Sequence, residues 1–445
     1  MKKFTSLFVC CLATSSMFAQ WSTLSRATTD GKEIPVQVNH LAEADGKLYA
    51  ATTDGIWVSA SKKGGDWAPF GLQGQEIALL NFGEYKLASG TVKSPIDTNK
   101  DGTPADAGQV YILKESGSWE ATNFNPNKNK SFHPTTGFVQ LKDDKGTQVI
   151  VVPTWGNGIW RSEDAGKTWT VSPYAVDDFD ETLEICKTSP GLFYFPGDKV
   201  IYGTDKASAN DHYMIRSYDY GKTWEAIWVQ GIHNPWCFTK RQYKGIEVLY
   251  FGGEKGDGNT VMRSENDGAT WTGCFYELGG KGTYTNNRYM LGFDEGPLFV
   301  MCAHSGVFLY SDEGEDFERV GDNLQITNAH AKSLTHLLVS DNTLYCSSQE
   351  DFIQTIDVTD IMTAGVEGIA ADLVDGSLKY ENGILNVTAD SNSTVSIYSL
   401  VGSLVAQIKT SGVQTSISTE ELSKGVYVVE YTANGKKNAG KIFVK

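Results

Sequence analysis

Apolar residues along this chain come in short runs bounded by glycine, proline or small polar residues. Thr394-Val-Ser-Ile-Tyr and Val426-Tyr-Val-Val-Glu-Tyr alternate with period two. Gly46-Lys-Leu-Tyr-Ala-Ala, Gly191-Leu-Phe-Tyr-Phe and Pro297-Leu-Phe-Val-Met-Cys are denser. Short alternating or apolar runs, rich in aromatic and β-branched residues and bounded by turn formers, predict strands. The three dense runs are read as second strands of a repeated unit, and Gly158-Ile-Trp-Arg-Ser as a third strand.

The repeat is explicit in Arg161-Ser-Glu-Asp-Ala-Gly-Lys-Thr-Trp169. It returns as Arg216-Ser-Tyr-Asp-Tyr-Gly-Lys-Thr-Trp224 and Arg263-Ser-Glu-Asn-Asp-Gly-Ala-Thr-Trp271. A worn copy is Tyr310-Ser-Asp-Glu-Gly-Glu-Asp-Phe317, and two shorter ones end at Trp67 and Trp119. The closing aromatics are separated by 52, 50, 55, 47 and 46 residues. That period fits one four-stranded propeller blade per repeat. A seventh unit at Leu334 to Ser347 has no such segment after it. Trp21-Ser-Thr-Leu24 is the expected missing strand, closing a ring and removing its open edge. The expected fold is all-β: a seven-bladed β-propeller over residues 20–360, a linker at 361–375, and a small C-terminal β-sandwich at 376–445.

Within each repeated segment the acid accepts backbone hydrogen bonds across a turn. The glycine supplies a left-handed backbone, and the tryptophan folds back over the hairpin. These are stabilising roles, not catalytic ones. The pattern Ser-x-Asp-x-Gly-x-Thr-Trp resembles the Asp-box, or BNR, repeats of the sialidase-like propeller superfamily. The resemblance covers roughly residues 21–360. It implies architecture more than function, because the superfamily holds hydrolases, binding proteins and assembly factors.

Lys2 and Lys3, an apolar stretch from Leu7 to Ala13, and Ala19 before Gln20 read as a secretory signal peptide over residues 1–19. No later stretch is long and apolar enough to span a bilayer as a helix. The chain has 38 Lys+Arg against 54 Asp+Glu, a formal charge of −16. Losing the two signal lysines leaves 36 against 54, or −18. Such a charge repels nucleic acid and anionic membrane faces. The five cysteines of the mature chain are widely spaced in apolar runs, which reads as buried thiols rather than a disulfide framework.

The tail carries Val395-Ser-Ile-Tyr398, Gly402 with Leu404-Val405, Leu422-Ser-Lys-Gly-Val-Tyr427 and the terminal Lys441-Ile-Phe-Val-Lys445. In that order these resemble the type A C-terminal sorting domain of the type IX secretion system of Bacteroidota. The resemblance implies type IX machinery as a partner. It also implies a periplasmic route, then release or attachment at the cell surface.

Loops between blades, and between strands two and three, share the face opposite the repeated turns, where propellers usually hold ligands. On this layout all seven histidines fall there. The candidate ligand-binding residues are His133, Trp155, His233, Trp236, Arg241, Tyr284, Arg288, His304, Glu350 and Asp351. Aromatic and hydrogen-bonding groups in a ring suit sugars or a protein ligand. The loop Asp97-Thr-Asn-Lys-Asp-Gly-Thr-Pro-Ala-Asp106 spaces oxygens as in the first half of a calcium loop. Asp97, Asn99, Asp101 and Asp106 are the expected ligands and calcium the expected cofactor, although Gly108 stands where a bidentate Glu would close the site. Sialidases of the superfamily use an arginine triad and an Arg-Ile-Pro start. Here Glu33-Ile-Pro-Val36 lacks the arginine. Glycoside hydrolysis needs two carboxylates at a set separation. Asp54, Asp178, Glu181, Glu184, Glu350 and Asp351 supply acids, but nothing pairs two of them. Two readings stay open: an exported propeller binding glycans or proteins, and a secreted glycoside hydrolase.

Overall fold

The computed structural model describes residues 20–24, 28–29, 32–33, 37–98, 101–124, 137–173, 185–208, 212–255, 259–276, 286–303, 305–310, 317–321, 323–324, 334–348, 353–362, 378–381, 384–399, 404–410, 412–419, 422, 425–433 and 436–444. The expected signal peptide at 1–19 lies outside them, as does the expected linker at 361–375 apart from Ile361 and Met362.

Seven four-stranded antiparallel sheets resembling propeller blades follow one another between Ser22 and Asp357. Sheet I starts with Val38–Ala44, sheet II with Glu76–Phe82 and sheet III with Val139–Lys142. Sheet IV starts with Gly191–Tyr194, V with Ile232–Tyr243, VI with Asn287–Gly292 and VII with Leu334–Ser340. Gly191–Tyr194 is therefore a first strand, not a second. Its density reflects its inner position, where Leu192 and Phe193 line the space between sheets. The second strand of sheet IV is Ile201–Lys206.

First strands meet across sheet boundaries. Asn39 Nδ2 donates to Ile77 O at 2.9 Å, Asn81 Nδ2 to Phe138 O at 2.6 Å, and Leu192 N to Gly137 O at 3.1 Å. Gly292 N donates to Thr239 Oγ1 at 3.3 Å. Thr335 Oγ1 donates to Val38 O at 2.7 Å, joining the last sheet to the first. Sheet VII takes its fourth strand from the start of the chain: Ser22 pairs with Thr355 and Thr23 with Gln354. The Trp21 indole, buried against Leu344, Ile356 and Val320, donates to Val320 O at 2.6 Å, and Asn323 brackets its backbone.

The repeated turns form as their residues dictate. Ser162 Oγ donates to Asp164 Oδ1 at 2.9 Å and accepts from Gly166 N at 2.9 Å. Asp164 accepts from Thr168 N at 2.8 Å and Thr168 Oγ1 at 2.7 Å. Ser217, Asp219, Gly221 and Thr223 repeat the same bonds. In the third copy Asn266 accepts from Thr270 N at 2.9 Å, and its amide donates to Thr270 Oγ1, reversing one bond and keeping the turn. Gly166 and Gly221 sit at φ 79° and 80°. The leading arginines reach the next turn: Arg161 Nε donates to Tyr220 O at 2.7 Å, and Arg216 pairs with Asp267 at 2.8 Å.

Residues 378–444 contain a three-stranded and a four-stranded antiparallel sheet. Leu385, Val387, Val395, Ile397, Tyr427 and Val429 from both sheets share one buried cluster. The cysteines are free thiols, Cys186, Cys237, Cys302 and Cys346 buried and Cys274 half-buried.

Two predictions follow from these contacts. Trp21→Ala removes a core side chain and the indole bond, and is expected to cost about 3 kcal/mol in urea unfolding. Burial opposes the charge on Asp164 and Asp219, but the turn's donors outweigh it and hold both carboxyls below their usual range. Their contribution is present above the unfolded carboxylate pKa of about 4 and is lost as pH falls through the folded value. Asp219→Ala should therefore cost about 1–2 kcal/mol at neutral pH. Asp219→Asn should cost less and flatten the acid limb of stability against pH, since Asn266 already performs the role.

Candidate functional site

Four sheets contribute to one cluster at the end opposite the repeated turns. Trp155 follows the second strand of sheet III, where it bridges to Thr188. Lys206 ends the second strand of sheet IV, paired across the ladder with His212. His233, Asn234 and Trp236 open the first strand of sheet V, whose register shifts twice between His233 and Cys237. Asn234 has a positive φ of 40°. These bulges turn side chains that strict alternation would send to opposite faces. Glu254 lies on the neighbouring strand, and Asn286 and Arg288 at the start of sheet VI.

The rings form a stack. Trp155 and Trp236 lie 5.7 Å apart with 14° between their planes. The Arg288 guanidinium sits 3.8 Å from the Trp236 centroid, and Lys206 Nζ 5.7 Å from that of Trp155. Trp155 keeps 38% of its surface exposed, an uncommon state for so large an apolar side chain.

Glu254 organises the polar side. Its carboxylate accepts from Asn234 Nδ2 at 2.7 Å, Asn286 Nδ2 at 3.2 Å and Trp236 Nε1 at 3.3 Å, and faces Arg288 at 3.7 Å. Asn234 Oδ1 accepts from Lys206 Nζ. Burial pulls the Arg288 pKa down, and Glu254 opposes that shift. Buried His212 and exposed His233 stack at 5.9 Å beside this network.

Of the residues expected at a ligand face, Trp155, His233, Trp236 and Arg288 come together. Arg241 does not. It lies five residues beyond Trp236 on the same strand, about 16 Å away at ~3.3 Å per residue. There it is 1% exposed, 4.5 Å from the Tyr243 centroid, with Nε donating to Tyr250 Oη at 3.1 Å. It packs sheets V and VI together. His133, Tyr284, His304, Glu350 and Asp351 lie outside the described residues, as do Asp178, Glu181 and Glu184. Lys206, Asn234, Glu254 and Asn286 had no motif to mark them. The Pro235 between two polar residues and an aromatic, where a strand should run smoothly, was the available signal.

Asp101 is exposed at the tip of a hairpin, accepting from Thr103 N at 3.0 Å and Thr103 Oγ1 at 2.7 Å. Asp97 and Asp106 fall in the two paired strands of that hairpin. Their side chains, and Asn99, lie outside the described residues. Among the described residues no three His, Cys, Asp or Glu side chains group as a metal site.

The first strands of sheets I to VI enclose a cavity of about 640 Å³, lined by Phe82, Phe138, Phe193, Phe238, Tyr289 and His40. His40 stacks on His336 at 3.7 Å, and burial lowers its pKa to about 3, so it is neutral at physiological pH.

Residues 381–445 match the family of secretion system C-terminal sorting domains. The tail thus implies export through type IX secretion machinery, to the cell surface or beyond. Among the described residues no helix is long and apolar enough to cross a membrane. No curated protein matches the chain. Solved structures similar to it are propeller proteins. YCF48 from Cyanidioschyzon merolae aligns with TM-score 0.50 and 10% identity over 76% of this chain and 98% of its own. A catalytically inactive virginiamycin B lyase from Staphylococcus aureus, with quinupristin, aligns with TM-score 0.51 and 12% identity over 76% and 99%. PorZ, a surface component of the type IX system of Porphyromonas gingivalis, aligns with TM-score 0.46 and 14% identity over 92% of this chain but 59% of its own. At such identities the likeness is one of fold.

Glu254→Ala leaves Arg288 and two amides without their shared acceptor. The expected loss is about 2 kcal/mol in urea unfolding, with a changed tryptophan emission as the Trp155–Trp236 stack loosens.

Proposed function

We propose that this is an exported carbohydrate-binding propeller, displayed on or released from the cell by type IX secretion. On this reading residues 1–19 are a signal peptide giving entry to the periplasm. The seven sheets are the blades of a closed propeller with Asp-box turns, and residues 376–445 are a sandwich-like sorting domain. The observation that carries binding is the exposed Trp155 ring stacked on Trp236 beside a ring of amides and a carboxylate. Sugars present C–H faces that pack on such rings and hydroxyls that need donors and acceptors, and aromatic shelves with a few placed polar groups serve both.

Binding is favoured over cleavage by the state of Glu254. Three hydrogen-bond donors and the Arg288 charge surround its oxygens, which suits an orienting group better than a general base. Asp54, one of the acids considered for hydrolysis, accepts at 2.6 Å from Gly74 N in the connection between sheets I and II. A hydrolase of this kind requires two carboxyl groups about 5–10 Å apart across the bound sugar.

The mature chain is expected to be retained on immobilised glycans of at least one class, without releasing reducing ends. Trp155→Ala should abolish retention while leaving the melting temperature nearly unchanged, because the ring is already partly in solvent. Reducing-end release, or retention indifferent to that substitution, would overturn the proposal.

A further inference from the structure

We infer that the sugar held at this shelf carries a carboxylate, so that the natural ligand is an acidic polysaccharide. This rests on the carbohydrate reading of the Trp155–Trp236 stack.

The shelf carries unspent positive charge. Several cations elsewhere among the described residues are matched at short range: Lys142 with Glu84 at 3.0 Å, Lys240 with Asp198 at 2.6 Å and Glu247 at 2.7 Å, Arg216 with Asp267 at 2.8 Å. The two cations of the shelf are not. Lys206 donates to an amide oxygen, Asn234 Oδ1, and has no carboxylate partner among the described residues. Arg288 faces Glu254 at 3.7 Å, beyond a hydrogen bond, and its Nε has no partner among the described residues. Glu254 meanwhile spends its oxygens on Asn234, Asn286 and Trp236. Two positive groups and one negative one leave the described cluster with a net charge of about +1 at neutral pH.

The cations also stand in useful places. Lys206 lies by Trp155 and Arg288 by Trp236, at either end of the aromatic stack. An acidic oligosaccharide laid along the stack would present one carboxylate toward Lys206 and another toward Arg288. A planar guanidinium matches a carboxylate better than a point charge does. Long-range steering works against this, since the chain carries −16 overall. At physiological salt the screening length is about 8 Å, so contact charges decide the outcome.

The test is calorimetry of the mature chain at 0.15 M salt with tri-galacturonate and with a neutral trisaccharide of similar length. The expected result is a preference of about tenfold or more for the acidic sugar. Arg288→Gln and Lys206→Gln should each erode that preference by weakening binding of the acidic sugar more than of the neutral one, and a melting curve confirms each variant is folded. Equal or better binding of the neutral sugar, lost in Trp155→Ala, would overturn the anion and keep the carbohydrate reading. A preference unmoved in both folded charge variants would also overturn it. Binding of neither sugar, or binding insensitive to Trp155→Ala, would overturn both.

Discussion

An antiparallel sheet leaves two edges unsatisfied, and each of the seven sheets between Ser22 and Asp357 has only four strands. The pairing of Ser22 and Thr23 with Thr355 and Gln354 spends the start of the chain on completing its last sheet. Once that sheet is whole, its first strand can pack between those of sheets VI and I. The inner hydrogen bonds of Asn39, Asn81 and Thr335 then hold a continuous series of strands. The side chains of the Trp155 cluster sit at or beside the ends of first and second strands. Their positions are therefore only as fixed as the closure.

The hairpin turns carry the second layer of order. Each is a local solution, since serine, acid, glycine and threonine bond within nine residues. Two of them then reach outward, because Arg161 and Arg216, which open their turns, bind the backbone or acid of the next. This explains why the sheets could be read from the chain. The turn residues recur with nearly the same chemistry in three copies, and their spacing is the size of one sheet. The closing strand was legible for a related reason: a seventh unit lacked a partner, and Trp21-Ser-Thr-Leu was the apolar run left over. Sheet IV misled because Gly191-Leu-Phe-Tyr-Phe has the density of a second strand. A first strand that lines the central space is equally apolar, and composition alone does not separate the two.

The site was legible only in its aromatic and basic members. Trp155, Trp236 and Arg288 announce themselves as large or charged residues in connecting segments. Whether they converge depends on the bulges between His233 and Cys237, which no propensity encodes. Arg241 shows the limit most clearly. It carries the same chemistry as Arg288 on the strand that also bears Trp236, yet a few residues of extended chain take it into a cage of tyrosines. Glu254 was not marked because a lone acid at a strand end is ordinary until its three donors and Arg288 are seen together.

The account makes the C-terminal sheets an address and the Trp155 shelf the working surface. The most direct measurement is a crystal structure of the mature chain with a bound oligosaccharide. The account predicts a sugar ring packed on the exposed face of Trp155, with hydroxyl or carboxylate oxygens reaching Lys206 and Arg288. A sugar seated elsewhere, or a saturated crystal with that face bare, would contradict it.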